Sequence, residues 1–76
     1  MPGYRFEVFE VPEHGRRRID EWTGDYDDDE AAWQVASKVM LSGRQQVLVF
    51  RDGEERAFGS KASDELADAM DSAAWR

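Results

Sequence analysis

The stretch Gln46-Val47-Leu48-Val49-Phe50, followed by Arg51-Asp52-Gly53, decides the architecture. Five residues rich in β-branched and apolar side chains, apolar on both faces, read as a strand from the middle of a sheet. Asp-Gly directly after such a run signals a hairpin. A two-residue type I′ turn predicts Val47 opposite Phe58 and Leu48 opposite Ala57, with a return strand from Glu54 to Phe58.

Upstream of this hairpin, Asp25, Asp27, Asp28, Asp29 and Glu30 crowd the entrance of a helix, where acids suit the positive end of the dipole. Asp27 is the expected N-cap and Glu30, three residues on, its capping-box partner. Ala32, Val35, Ala36, Val39 and Met40 recur at i, i+3, i+4, i+7 and i+8, and Gly43 is the expected stop after Leu41 and Ser42. Nearer the N-terminus, Tyr4, Phe6 and Val8 alternate with Arg5 and Glu7, the period of a half-buried strand. Phe9 and Val11 break that phase, which calls for a bulge or for a cover on the second face of the sheet. Pro12 to Gly15 supply a turn, and a charged edge strand from about Arg16 to Thr23 follows, anchored by Ile19 and Trp22 on opposite faces. Downstream, Gly59 to Ser63 lead into a last helix capped by Ser60 or Ser63. Asp64 and Glu65 occupy its first turn, and Ala62, Leu66, Ala69, Met70 and Ala73 form its apolar stripe. The expectation is a single α+β domain over residues 1–76, ordered ββαββα, with an antiparallel sheet and two helices packed on one face.

The 76 residues carry 17 acidic and 10 basic side chains, a formal charge of −7, and no cysteine. Disulfides and thiolate metal sites are thereby excluded, and stability must come from packing, or from packing plus a partner chain. A hydrophobic content of 41%, patterned as above, argues against disorder despite the charge. No apolar run approaches a membrane span and Met1 to Glu10 lacks the features of a signal peptide, so the expectation is a cytoplasmic protein. The acidic balance disfavours nucleic acid and anionic membranes and favours basic partners.

Five acids within Asp25–Glu30 invite a divalent-cation reading, but the spacing fails. Placing Asp25, Asp27 and Asp29 at positions one, three and five of a calcium loop puts Glu30 where glycine is required and Ala36 where glutamate is required. No metal and no cofactor are expected. In the last helix Asp64, Asp68 and Asp71 fall at i, i+4 and i+7 with Glu65 beside them, one acidic ridge opposite the apolar stripe. With Asp25, Asp27, Asp28, Asp29 and Glu30 it could imitate a phosphate backbone, a DNA mimic docking on a basic nucleic-acid-binding protein; the plainer reading is a solvated helix face. Arg16-Arg17-Arg18 reads as edge-strand protection rather than a nucleic-acid site. His14 lies in a Pro/Gly turn with no nucleophile or acid placed to work with it. There is no Gly-x-Ser-x-Gly elbow, phosphate loop or dinucleotide fingerprint, and no enzyme is expected. Phe9, Val11, Trp33 and Trp75 have no obvious place in a one-sided core and are the candidate hydrophobic interface, including that of a homodimer.

The opening strand Tyr-Arg-Phe-Glu-Val-Phe-Glu-Val, the acid-capped helix Asp-Asp-Asp-Glu-Ala-Ala-Trp-Gln-Val-Ala-Ser-Lys and the hairpin Val-Leu-Val-Phe-Arg-Asp-Gly, in an acidic chain of this size, resemble the small phage-encoded anti-CRISPR proteins. That resemblance implies a non-enzymatic inhibitor acting in the bacterial host cytoplasm, bound to a CRISPR effector subunit and blocking recognition of target DNA. The group shares no motif, so it transfers no residue roles. The alternative is a small cytoplasmic interaction module binding through exposed aromatics. A third reading is a metal-responsive domain.

Overall fold

The structure, a computed structural model, describes residues 3–74, and the side chains of residues 3–70. Strands β1 (Gly3–Glu10) and β2 (Arg17–Asp25) precede helix α1 (Asp29–Ser37), strands β3 (Gln45–Arg51) and β4 (Gly59–Ala62), and helix α2 (Asp64–Ala74). The expected α+β class and ββαββα order are both present. All neighbouring strands are antiparallel, in the order β2-β1-β3-β4. The apolar run at 46–50 therefore occupies an interior strand, and the charged second strand an edge.

Pairing Phe6 with Val49 and Val8 with Val47 brings the inward residues of β1 and β3 to one face. Ala32 and Ala36 of α1 close over them, completing a buried cluster of Tyr4, Phe6, Val8, Ala32, Ala36, Val47 and Val49. Small residues at those two positions let the helix approach the sheet. Phe6 stacks on Trp22 at 5.1 Å and meets Tyr26 edge-on at 5.9 Å, so β2 and the link to α1 are tied to the same core.

The broken phase in β1 has a two-part explanation. Val8 pairs with Asp20 but Phe9 with Arg18, so Ile19 is an extra residue bulged from β2, while β1 stays in register with β3 through Glu10. Phe9 thus lands on the second face. There the cover consists of arginine side chains: the Arg16 guanidinium lies 4.3 Å from the Phe9 ring centroid and that of Arg5 lies 4.4 Å from Phe50. Glu7, on the same face with only 11% of its side chain exposed, accepts from Arg5 Nε at 2.8 Å and lies 3.5 Å from Arg18.

Three expected details are corrected. The N-cap is Asp28, in extended conformation and accepting from the Ala31 N–H at 2.8 Å. With the cap one residue later, Glu30 no longer holds the position that a capping box requires. Helix α1 stops at Ser37, not near Gly43. Lys61 on β4 donates from Nζ to the carbonyls of Ser37 at 2.6 Å and Val39 at 3.3 Å, so a cation from another element closes the C-terminus, whose last turn has none of its own. Val39 and Leu41 still reach the core, but Met40 is 95% exposed.

The third correction is the hairpin. Asp52 does not take the positive φ that a type I′ turn needs; only Gly53 does, at 76°. The Glu54 N–H closes a turn on the Arg51 carbonyl at 3.1 Å, and the chain then runs through a loop before β4 begins at Gly59. Val47 faces Lys61 and Leu48 faces Ser60, three residues beyond the expected partners Phe58 and Ala57. Residues 54–58 are loop, and Phe58 tucks its ring edge-on against Tyr4 at 5.9 Å.

Of the two caps proposed for the last helix, Ser63 is the one used. Its Oγ accepts from the Leu66 N–H at 3.3 Å and from the Gln45 N–H at 3.2 Å, and donates to the Gly43 carbonyl at 2.5 Å. Helix α1 lies across β3 and β4, whereas α2 is held by its first turn, with Leu66 buried and Met70, one turn on, 51% exposed. The molecule is elongated, 43 × 21 × 20 Å.

Candidate functional site

Carboxylates gather where β1 starts and β2 and β3 end. Asp25 pairs with Gly3 across β1–β2, and the Asp52 N–H donates to the Gly3 carbonyl at 2.9 Å from the other side. A Cβ built on Gly3 would lie 3.5 Å from Asp52 Cβ and 3.6 Å from an Asp25 carboxylate oxygen. Asp25 and Asp52 therefore flank the start of β1 from its two sides. Asp27, Asp28 and Glu30 follow in the link to α1 and its first turn, and Glu54 and Glu55 in the loop after β3; all seven residues are exposed.

Asp29 differs from its neighbours. Its Oδ1 accepts from the Tyr4 hydroxyl at 2.9 Å, and its Oδ2 accepts from Arg51 Nε at 2.9 Å and from a terminal amino group of the same guanidinium. Arg51 also donates to Glu54 at 3.1 Å and lies 4.7 Å from the Phe58 ring centroid. Its guanidinium, and secondarily the Tyr4 hydroxyl, hold the Asp29 carboxyl below its ordinary pKa, while burial and then the Asp29 carboxylate push the Tyr4 phenol above its own. The carboxylates of Asp29 and Glu54 raise Arg51 in turn. Asp29 is therefore a tie between β1, α1 and β3, with its charge already matched.

The second acidic group lies elsewhere. Ser63 is bonded to Gln45 at the start of β3, so Asp64, Glu65 and Asp68 begin at the opposite end of the sheet from Arg51. Six residues of strand, about 20 Å, separate Gln45 from Arg51. Asp64, Glu65 and Asp68 are exposed, and Asp71 lies in the helix with its side chain outside the described residues. The Asp25–Glu30 cluster and the acids of α2 are thus two separate patches, about the length of β3 apart. Asp52, Glu54 and Glu55 belong to the first patch because β2 and β3 flank β1, a pairing between distant segments that the sequence does not display.

Among the described residues, the aromatic candidates Phe9 and Trp33 lie on opposite faces of the sheet. Phe9 lies under Arg16 on the second face. Val11 is half-buried, its N–H donating to the Arg44 carbonyl and its carbonyl accepting from Arg44 Nε, both at 2.8 Å. Trp33 is on α1, against Gly59 of β4. Trp75 lies outside the described residues. The three arginines of the basic run are engaged locally, Arg17 with Glu10 at 3.0 Å and Arg18 with Glu21 at 2.9 Å beside Arg16 on Phe9.

Among the described residues no three His, Asp or Glu side chains converge to hold a metal ion, and no helix is long and apolar enough to cross a membrane. What the Asp25–Asp52 end of the sheet offers chemically is a set of solvated carboxylates able to meet guanidinium and ammonium groups. No protein-family model matches the chain, and neither a curated protein nor a solved structure matches it.

Proposed function

We propose that the protein is a non-enzymatic inhibitory binding protein whose acidic surface docks on the basic nucleic-acid-binding surface of a partner and keeps nucleic acid off it. The observation that carries this reading is the convergence of Asp25, Asp27, Asp28, Glu30, Asp52, Glu54 and Glu55 from β2, the α1 entrance and the loop after β3 on one end of the sheet. Of the basic side chains within these segments, Arg51 is committed to Asp29 and Glu54, and exposed Arg56 in the loop after β3 is the other, so the carboxylates outnumber the cations and this end stays negative. The Asp64, Glu65, Asp68 patch extends the negative field along the molecule. The resemblance to anti-CRISPR proteins makes a CRISPR effector subunit the first partner to try.

The test is affinity capture from a bacterial lysate, washed at low and then high salt, with the wild type and the triple variant Asp25→Lys/Asp27→Lys/Asp52→Lys as baits. The expected result is a nucleic-acid-binding protein that the wild type retains, salt releases and the variant does not recover. A partner held through the high-salt wash, or captured equally by the variant, contradicts the reading.

A further inference from the structure

The two edges of the sheet are built differently. Edge β2 carries Arg17, Arg18, Asp20 and Glu21 and a bulge at Ile19, the usual defences against adding another strand. Edge β4, Gly-Ser-Lys-Ala, is defended by little beyond its four-residue length. Its one charged side chain, Lys61, is turned to the C-terminus of α1, where Nζ is occupied by two carbonyls. Ser63 bonds to Gln45, and antiparallel alternation then turns the main chain of Lys61 and Gly59 toward β3, leaving the N–H and C=O groups of Ser60 and Ala62 pointing off the sheet. With β3 as its one neighbour in the order β2-β1-β3-β4, β4 is an edge of the sheet.

Beside this open edge, Trp33, Phe58 and Gly59 line an apolar cleft of about 470 Å³ with Glu30 at its rim. The Trp33 ring lies so close to Gly59 that an added Cβ would be 3.0 Å from Cε3, so the cleft lies directly beside the strand. Acids stand at both ends of β4: Glu30 near Gly59, and Asp64 and Glu65 immediately after Ser63. A second copy of this chain, at −7, would set acid against acid along that edge. The charge fits a cationic strand instead.

We propose that β4 accepts an extended basic segment of the partner protein as a fifth strand. Backbone bonds form to Ser60 and Ala62, an apolar side chain fills the Trp33–Phe58 cleft, and cations about five residues apart reach Glu30 at one end and Asp64 and Glu65 at the other, spanning about 17 Å. The inference rests on the proposed function only for the basic character of the partner.

The test uses the full chain and a capped nine-residue peptide with two lysines at each end and alternating valine and threonine between, followed by amide resonances and amide hydrogen exchange. The expected result is binding that weakens with salt, slowed exchange at the Ser60 and Ala62 amides, and about tenfold weaker binding by Ser60→Pro, which removes one outward donor at an edge position that tolerates proline. Exchange protection in the wild type stands independently of how that variant folds. Three results overturn the proposal: no binding of the peptide; binding that shifts only residues 25–30 and 52–55, which leaves the acidic-surface reading intact; or protection at Ser60 that grows with protein concentration in the absence of peptide. Failure of the acidic-surface reading is recognised separately, by a captured partner that is indifferent to the Asp25/Asp27/Asp52 reversal.

Discussion

Phe6 and Met40 are both apolar and both fall on stripes that the sequence reads as core, but the structure separates them completely. Phe6 has no exposed surface and touches Trp22 and Tyr26, whereas Met40 is 95% exposed because α1 ends three residues before it. Truncating a buried phenylalanine costs about 3–5 kcal/mol, and a chain of this length has only about 4–11 kcal/mol of stability in all. Phe6→Ala should therefore lie near the edge of folding, and Phe6→Leu, which keeps most of the volume but loses both ring contacts, should cost about 2 kcal/mol. Met40→Ala should change stability by no more than about 0.5 kcal/mol. The assay is urea unfolding followed by far-ultraviolet circular dichroism. With a slope of about 1 kcal/mol/M, Phe6→Leu lowers the midpoint by about 2 M and Met40→Ala by at most about 0.5 M. A Met40→Ala loss in the range of about 2–5 kcal/mol would mean that the helix runs on toward Gly43 with Met40 in the core, and the placement of α1 against β4 would be wrong.

Lys61→Met removes the cation that closes α1 and should cost about 1–2 kcal/mol, read as a lower melting temperature; an unchanged value refutes the capping role. Gly59→Ala makes the Trp33 ring give by a few tenths of an ångström and should shift the Trp33 indole resonance, whereas an unshifted resonance would show that the ring does not lie there. The depressed Asp29 pKa means that the unfolded chain binds more protons at that group. Its stabilisation is full above the ordinary aspartate value of 3.8 and is lost as pH falls through the lower folded value. An acid titration of Asp29→Asn should lack that part of the slope. Tyr4, with its pKa raised, works the other way: its contribution is full below 10.0 and is lost as pH rises through the folded value, so Tyr4→Phe should flatten the alkaline limb.

Most of the fold could be read locally, because the features that determined it were local. Alternation in Tyr4–Val8, the two-faced run at 46–50 and the acids ahead of α1 each act within a few residues. The errors occur where a distant group decides. The end of α1 is set by Lys61, 24 residues away from Ser37, and no pattern around Met40 signals it. The β3–β4 register turns on the φ of Asp52 and on Phe58 seating against Tyr4 rather than across from Val47. The site depends likewise on pairings between distant segments. Asp25–Glu30 was recognisable as a cluster, but that Asp29 is spent on Arg51 and Tyr4, that Asp52 and Glu55 share its end of the sheet, and that α2 starts at the other end all follow from register. Asp52-Gly53 was the available signal, and it points to a turn without fixing its length.

The most direct test of the central claim is competition on the captured partner: labelled DNA bound to it is titrated with this protein across a range of salt, for the wild type and for Asp25→Lys/Asp27→Lys/Asp52→Lys. The account predicts that the wild type displaces the DNA, that its apparent affinity falls steeply with salt, and that the reversed variant is at least about tenfold weaker. A ternary complex in which DNA stays bound, or displacement indifferent to both salt and the three reversals, would contradict it.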